Sequence, residues 1–337
     1  MGLFEFNDVG IDLGTASILV YVRGKGIVLR EPSVVAVEKI TGRILAIGEE
    51  ARRMLGRTPG NITAIRPLRD GVISNYDITE RLLHHFLKKV VGTHVFFKPR
   101  VVVCVPSGVT EVEKRAVEDV TLEAGAQSVA LIEEPFAAAI GAGLRVEDAR
   151  GSMIIDIGGG TTEVAVISLG GIVLSNSIKI AGDTFDESIA AYIKNNFHVL
   201  IGDVTAEELK KNLGSALEAT DRGAMEIRGR NLQNGLPAIL TVNSAQIREA
   251  MSEDISRIID CIRNTLETTP PELSSDIYDS GIMLTGGGAL IAGLAQVIAQ
   301  TTGIRVIVAK SPLDCVAVGI GHVIESDFNG AVSFRNR

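Results

Sequence analysis

Short apolar runs, each closed by glycine or by a single acidic residue, set the rhythm of this chain. "SMIIDIGGGTTEV" (152–164) is the most pronounced. Its apolar run reaches Asp156, gives way to Gly158, Gly159 and Gly160, and then apolar side chains return. Runs of this kind predict a buried strand, a tight turn at Asp-x-Gly and a returning strand. A glycine cluster standing alone is equally the mark of an ordinary turn, so its meaning rests on what the rest of the chain repeats.

The pattern is written twice. "IDLGTASILVYVRGKGIVL" (11–29) aligns with "IDIGGGTTEVAVISLGGIVLS" (155–175), both passing through "GIVL", with one extra residue that the alignment places in the second glycine turn. "VVVCVPSG" (101–108) matches "IMLTGGGA" (282–289), an apolar strand running into a small-residue loop and a helix. "VALIEEPFAAAIGAG" (129–143) matches "VIVAKSPLDCVAVGIG" (306–321), each a strand, a proline suited to the first turn of a helix, and a glycine-punctuated helix. Three blocks in one order are the signature of a duplication with a long period. The second half carries an insertion around 181–245, the first a smaller excursion at about 33–65.

Two α/β halves of this kind, each a mixed sheet flanked by helices, set their Asp-x-Gly turns face to face across a cleft. Lacking Cβ atoms, the glycines let the backbone turn tightly and aim successive N–H groups at one anion. Gly14, Thr15 and Ala16 from one side, with Gly158, Gly159 and Gly160 from the other, are expected to clamp a polyphosphate. Asp12 and Asp156, both at strand ends, suit water-mediated coordination of Mg²⁺, or else cap their turns. The third block is unequal: Glu133 and Glu134 stand in the first copy where Lys310 and Ser311 stand in the second. Glu134, directly before Pro135, is placed to orient an attacking water, with Thr161 near the terminal phosphate and Asp156 completing the catalytic set. Glu133 shares that position or is a solvated surface charge.

Composition narrows the picture. With 337 residues the chain exceeds one usual core and fits about two domains. Hydrophobic residues at 46% and charged residues at 22% describe an ordinary globular protein. A formal charge of −8 without any Lys/Arg-rich run argues against nucleic acid as a partner. Cys104, Cys261 and Cys315 read as buried thiols of a reducing compartment, and the scattered histidines offer no zinc constellation. "MGLFEFNDVG" lacks the features of a secretory signal, so a cytoplasmic location is expected. The uncharged stretch from Gly281 to Ile304 holds six glycines and reads as strand, glycine loop and helix rather than a membrane span.

The motifs "GIDLGTA", "IEEPFAAAIGAG", "DIGGGTTEVAVISLGG", "TAEELK", "TPPEL" and "LTGGGALI" together resemble, in order and spacing over nearly the whole chain, those of the MreB/Mbl family of bacterial actins. Ser17 stands where many members have asparagine. The resemblance implies an actin-like ATPase fold of two duplicated α/β domains facing a nucleotide cleft, divided into four subdomains. These are IA (1–32, 66–147 and 314–337), IB (33–65), IIA (148–180 and 246–313) and IIB (181–245). It implies ATP, with GTP as an alternative, and Mg²⁺ in the cleft. Base and ribose would lie against Ala206, Glu207, Glu208, Leu209 and Lys210, against Gly286, Gly287, Gly288 and Ala289, and near Gly182. Helical spacing puts Glu207 and Lys210 on one face, where a plain surface ion pair is the competing reading. Further implications are homopolymeric filaments, cell-wall elongation and morphogenesis proteins as partners, and a role in rod shape.

One feature lies outside the duplication. "KKVVGTHVFFKPR" (88–100) sets Phe96 and Phe97 side by side in a chain with 4% aromatic residues, flanked by Lys88, Lys89, Lys98 and Arg100. Val95, Phe96 and Phe97, joined by Leu3, Phe4 and Phe6, suit an anionic membrane surface; covering a core edge is the alternative. Family resemblance favours membrane association. A close paralogue of the same activity, a small-molecule kinase and a chaperone-type ATPase are the competing functions. No extra insertion for a second-substrate pocket is evident, and a chaperone-type ATPase would be expected to carry a peptide-binding domain after the last block.

Overall fold

The structure, a computed structural model, describes residues 8–92, 98–326 and 332–336. Its two main sheets reproduce the written duplication strand for strand. In the first half β1 (Val9–Leu13), β2 (Ser17–Val22), β3 (Gly26–Pro32), β4 (Arg100–Val105) and β5 (Ser128–Glu133) lie in the order β3-β2-β1-β4-β5. In the second, β6 (Ser152–Ile157), β7 (Thr162–Ser168), β8 (Gly171–Ile178), β9 (Ile282–Thr285) and β10 (Val306–Val308) lie in the order β8-β7-β6-β9-β10. Each glycine hairpin is antiparallel, and each next strand joins in parallel, pairing Ile11 with Val103 and Ile155 with Leu284. A short strand, Phe334–Asn336, extends the first sheet along β5.

Register corrects one expectation. Asp12 pairs with Leu19 and Asp156 with Glu163, the same interval in both copies, so the extra residue does not lie in the second glycine turn. It arises at the far end of the hairpin, where β7 and β8 are 7 and 8 residues long against 6 and 7 for β2 and β3, and where the connecting turn differs. The phosphate loops are therefore equal in length. A second correction concerns the prolines. Pro135 does open the helix Glu134–Gly141, but Pro312 sits in the turn before the helix Cys315–Glu325, and its carbonyl accepts from the Gly286 amide (3.0 Å).

Small sheets decorate both halves: Val35–Glu38 with Ile44–Ile47 and Ile62–Ile65, and Val199–Leu200 with Ala224–Asn231 and Pro237–Asn243. The stretch from Gly281 to Ile304 holds the strand Ile282–Thr285, a short turn at Gly287–Leu290 and the helix Leu294–Thr302, as its composition predicts. Among the described residues no helix is long and apolar enough to cross a membrane. All three cysteines are buried and free.

Each half has its own apolar core, around Phe86, Leu82 and Val103 in the first and around Phe185, Ile189 and Ile155 in the second. A third core lies between the sheets and is built on two exchanged helices. Glu134–Gly141 leaves β5 of the first half and packs on β6 and β7, whereas Cys315–Glu325 follows β10 of the second half and packs on β1 and β2. The helices cross at Gly141 and Gly319. A Cβ on Gly141 would lie 1.8 Å from the Cys315 carbonyl oxygen, and one on Gly319 would lie 1.8 Å from that of Ala137. Only glycine allows the backbones so close. The crossing holds the two sheets, and the strand ends carrying Asp12 and Asp156, in one relation.

Candidate functional site

The two glycine loops meet at the junction of the halves. A Cβ on Gly159 would stand 2.7 Å from that of Ala16, and one on Gly160 would meet Thr15 Oγ1 at 2.7 Å and the Asp70 backbone at 3.0 Å. Thr15 Oγ1 accepts from the Gly71 amide (3.0 Å), in a turn where Asp70 and Gly71 both have positive φ (51° and 76°). The helix Gly182–Phe197 abuts the second loop: its Gly182 and Asp183 amides donate to the carbonyls of Gly158 (3.1 Å) and Gly159 (2.8 Å). Lys210 Nζ donates to the Gly182 carbonyl (2.6 Å) and to Asp186 (2.8 Å). The Gly286–Ala289 loop lies on the end of β6, since a Cβ on Gly286 would be 2.3 Å from the Ile157 carbonyl oxygen.

Four carboxyl groups gather beneath these loops. Asp12 accepts from Cys104 Sγ (3.3 Å) and Asp156 from Thr285 Oγ1 (2.7 Å). Cys104 and Thr285 occupy equivalent places in the duplicated β4 and β9, so each half supports its aspartate with its own side chain. Burial pushes Asp12 up to about 7, helped by the Asp156 charge and opposed by Cys104 and Arg30. Asp156 is pushed up to about 6 by burial, opposed by the Thr285 hydroxyl. Glu134 rises well above the carboxylate range through burial and then through Asp12, Glu163 and Asp156. Ligand atoms of Asp12, Cys104 and Glu134 lie within 4.8 Å of one another. Carboxylates crowded in low dielectric resist sharing their charge, an arrangement that a divalent cation relieves.

The fourth acid, Glu163, is fully buried (0% exposed) and was not singled out by motif. It accepts from the Ser107 amide (3.1 Å) of the first half and from Ser177 Oγ (2.5 Å) of β8. No signal in the sequence marked it, because its equivalence to the apolar Leu19 appears only in the strand register.

On the second half's side of the junction, the helix Asp203–Leu213 buries Ala206 and Leu209 completely in the second core and leaves Glu208 exposed. Glu207 and Lys210 remain as its polar groups at the cleft. They do not pair with each other: Lys210 holds Asp186, while Glu207 accepts from Lys211 (2.5 Å) and from Arg52 (2.6 Å), which lies beside the first half's small sheet. Arg66 reaches across to Asp183 in the same way (2.7 Å). These long-range pairs were not legible by spacing. The membrane candidates Leu3, Phe4, Phe6, Val95, Phe96 and Phe97 lie outside the described residues.

Comparison with known proteins converges on one group. A family model described as MreB/Mbl protein matches residues 6–329. The cell shape-determining protein MreB of Escherichia coli (strain K12) is 52% identical over 340 residues, 99% of this chain and 97% of the relative. The cell shape-determining protein Mbl of Bacillus subtilis (strain 168) is 50% identical over 319 residues, 95% of this chain and 96% of the relative. Crystal structures of MreB5 of Spiroplasma citri superpose with TM-scores of 0.92 (bound to ADP; 39% identity, 96% of this chain and 98% of that one) and 0.93 (bound to AMPPNP; 38%, 97% and 98%). The MamK double helical filament shares the fold at 23% identity, with a TM-score of 0.80 over 95% of this chain and 99% of that one.

Proposed function

The chain belongs to the MreB/Mbl family and has an actin-like fold, and from that premise we propose that it is an ATPase whose nucleotide cycle drives assembly into homopolymeric filaments. The observation that carries the reading is the junction itself: two backbone loops, Gly14–Ala16 and Gly158–Gly160, converge above a cluster of buried acids. Their amides suit an adenine nucleotide's phosphates, and Gly182, Glu207, Lys210 and the Gly286–Ala289 loop border the space for its nucleoside. Asp12 and Asp156 would hold Mg²⁺ through water, and the ion would neutralise phosphate charge.

Glu134 orients the attacking water, and Thr161 stands at the end of the second loop to place the terminal phosphate. Hydrogen bonds to a charged acceptor contribute about 1.5–3 kcal/mol each, so donors from both halves hold the cleft closed while the terminal phosphate is present. Its loss releases that bond between the halves, which makes hydrolysis a timer on monomer shape and filament contacts.

The same reading assigns the filaments to the cytoplasmic face of the membrane, bound through Phe96, Phe97 and the N-terminal apolar residues, where they organise cell-wall synthesis and rod shape with morphogenesis proteins. The relatives' description as cell shape-determining proteins supports it. Two inserted phenyl rings contribute roughly 3–6 kcal/mol before association costs, so single subunits bind weakly and filaments bind through avidity. Electron microscopy of purified protein with ATP, with and without anionic liposomes, tests the proposal. Filaments with ATP, recruited to lipid and released by Phe96→Ser with Phe97→Ser, are expected. An absence of filaments in both conditions overturns it.

A further inference from the structure

Glu163 stands where the other copy of the hairpin has Leu19, and both are fully buried or nearly so (0% and 2% exposed). The fold is therefore satisfied by an apolar side chain at this place in the hairpin, and a buried carboxylate there needs a reason beyond packing. Its bonds supply one. Glu163 lies two residues past Thr161, and its Oε2 accepts from the Ser107 amide of the first half (3.1 Å). Ser107 Oγ donates to Glu133 Oε2 (3.0 Å), directly beside Glu134. Ser177 Oγ secures the other oxygen of Glu163 (2.5 Å). Ser107, Ser177 and Thr161 together border a cavity of about 330 Å³ between the halves, which Asp70, Glu113 and Lys179 also line.

We propose that Glu163 and Ser107 form a positioning relay across the domain junction, which sets the water-orienting Glu134 of the first half in register with Thr161 of the second. The relay rests on the ATPase reading above and adds residues that lie outside the two phosphate loops. It runs from Thr161 through β7 to Glu163, through Ser107 to Glu133, and so to the start of the helix that carries Glu134. It connects the two halves behind the phosphate loops, so it is complete only when the halves stand in this relation. Glu133 thereby has a partner that fixes it, and neighbouring residues divide the work: one is held, the other acts.

A relay of hydrogen bonds makes a distinctive prediction for turnover against binding. Glu163→Leu copies the first half and removes both acceptors, and should lower the rate of ATP hydrolysis about 30-fold or more, with nucleotide affinity changed less than about 3-fold. Glu163→Gln keeps an acceptor for the Ser107 amide and should recover turnover to within about 5-fold of the unsubstituted chain. Ser107→Ala keeps the amide bond, frees Glu133, and should lower turnover about 3- to 10-fold; it also secures the test if Glu163→Leu fails to fold. Phosphate release and nucleotide Kd are to be measured on full-length protein, with thermal melting as a folding control. Unchanged turnover in Ser107→Ala, a Gln variant as slow as the Leu variant, or parallel losses of turnover and affinity would each overturn the relay. A full-length chain that binds ATP without hydrolysing it overturns the ATPase reading and the relay with it, whereas a hydrolysing chain indifferent to these substitutions overturns the relay alone.

Discussion

The two halves of this molecule are one design executed twice, and their differences are more informative than their likeness. The shared part is architectural: five strands in the same order, the same interval from aspartate to returning strand, and two helices that exchange places and cross at glycine. The unshared part is chemical. Leu19 answers to Glu163, Cys104 to Thr285, and Glu133 with Glu134 to Lys310 with Ser311. Two symmetric halves would make a symmetric clamp, adequate for gripping an anion. Hydrolysis needs water on one side of the phosphorus and a leaving group on the other, so a duplicated clamp must lose its symmetry to become a catalyst.

The architectural part is the place to break the molecule. Gly141→Ala and Gly319→Ala each put a Cβ 1.8 Å from a backbone oxygen of the opposing helix, where no side-chain movement relieves the clash. Each should cost more than about 4 kcal/mol, seen as lost soluble expression or a large fall in melting temperature. The crossing is reciprocal, so the two should be alike in severity. A chain that tolerates one and not the other would show that the halves are less equivalent in packing than their geometry says.

The chemical part should respond in the opposite way, with one copy critical and the other silent. Glu134→Ala should slow phosphate release on the order of 100-fold while nucleotide binding persists. Ser311→Ala, at the equivalent point of the second half, should leave hydrolysis within about 2-fold. Equal effects would mean that the active carboxylate has been assigned to the wrong place.

This division also explains what could be read without coordinates. The matched blocks, the facing loops and the aspartates were legible because duplication repeats hydrophobic pattern, and repetition is visible in residue types alone. Glu163 was not, because its meaning lies in register: only the pairing with Asp156 shows that it stands at the place of Leu19. The same blindness misplaced the extra residue of the second hairpin, since a sequence alignment can put a gap anywhere that glycine permits. Arg52 with Glu207, and Arg66 with Asp183, join parts of the chain far apart in sequence, and no local pattern announces such pairs.

The Leu19 and Glu163 contrast has a pH signature. Burial pushes Glu163 up to about 7 from an ordinary 4.5, against the pull of Ser177 and Ser107. Between those values the folded chain holds a proton that the unfolded chain has released. The associated stability is full below about 4.5 and is lost as pH rises through about 7. Asp156, Glu134 and Cys261 are the titratable groups coupled to it from β6 and from the neighbouring helices. In urea denaturation of nucleotide-free protein, stability should fall relative to Glu163→Gln by up to about 3 kcal/mol between pH 5 and 8. A difference between the two proteins that stays flat across this range would mean that Glu163 keeps its charge throughout.

The smallest difference concerns the side chains that hold the two aspartates. Thr285 offers Asp156 a hydroxyl at 2.7 Å and also touches the Ile155 carbonyl at 3.2 Å, whereas Cys104 offers Asp12 a thiol at 3.3 Å. A hydroxyl donates strongly to a carboxylate and a thiol weakly. Thr285→Val, which preserves shape, should therefore cost about 1–3 kcal/mol because it strips a buried acid of its donor. Cys104→Ala should cost about 1 kcal/mol, mostly through lost packing. Cys104→Thr, which gives the first half the second half's solution, separates the causes: stability equal to or above that of the unsubstituted chain would mark the thiol as a weak donor in a site that accepts a stronger one. A loss as large as that of Thr285→Val would instead mean that the site is shaped around sulfur, and that the two aspartates are held on different principles.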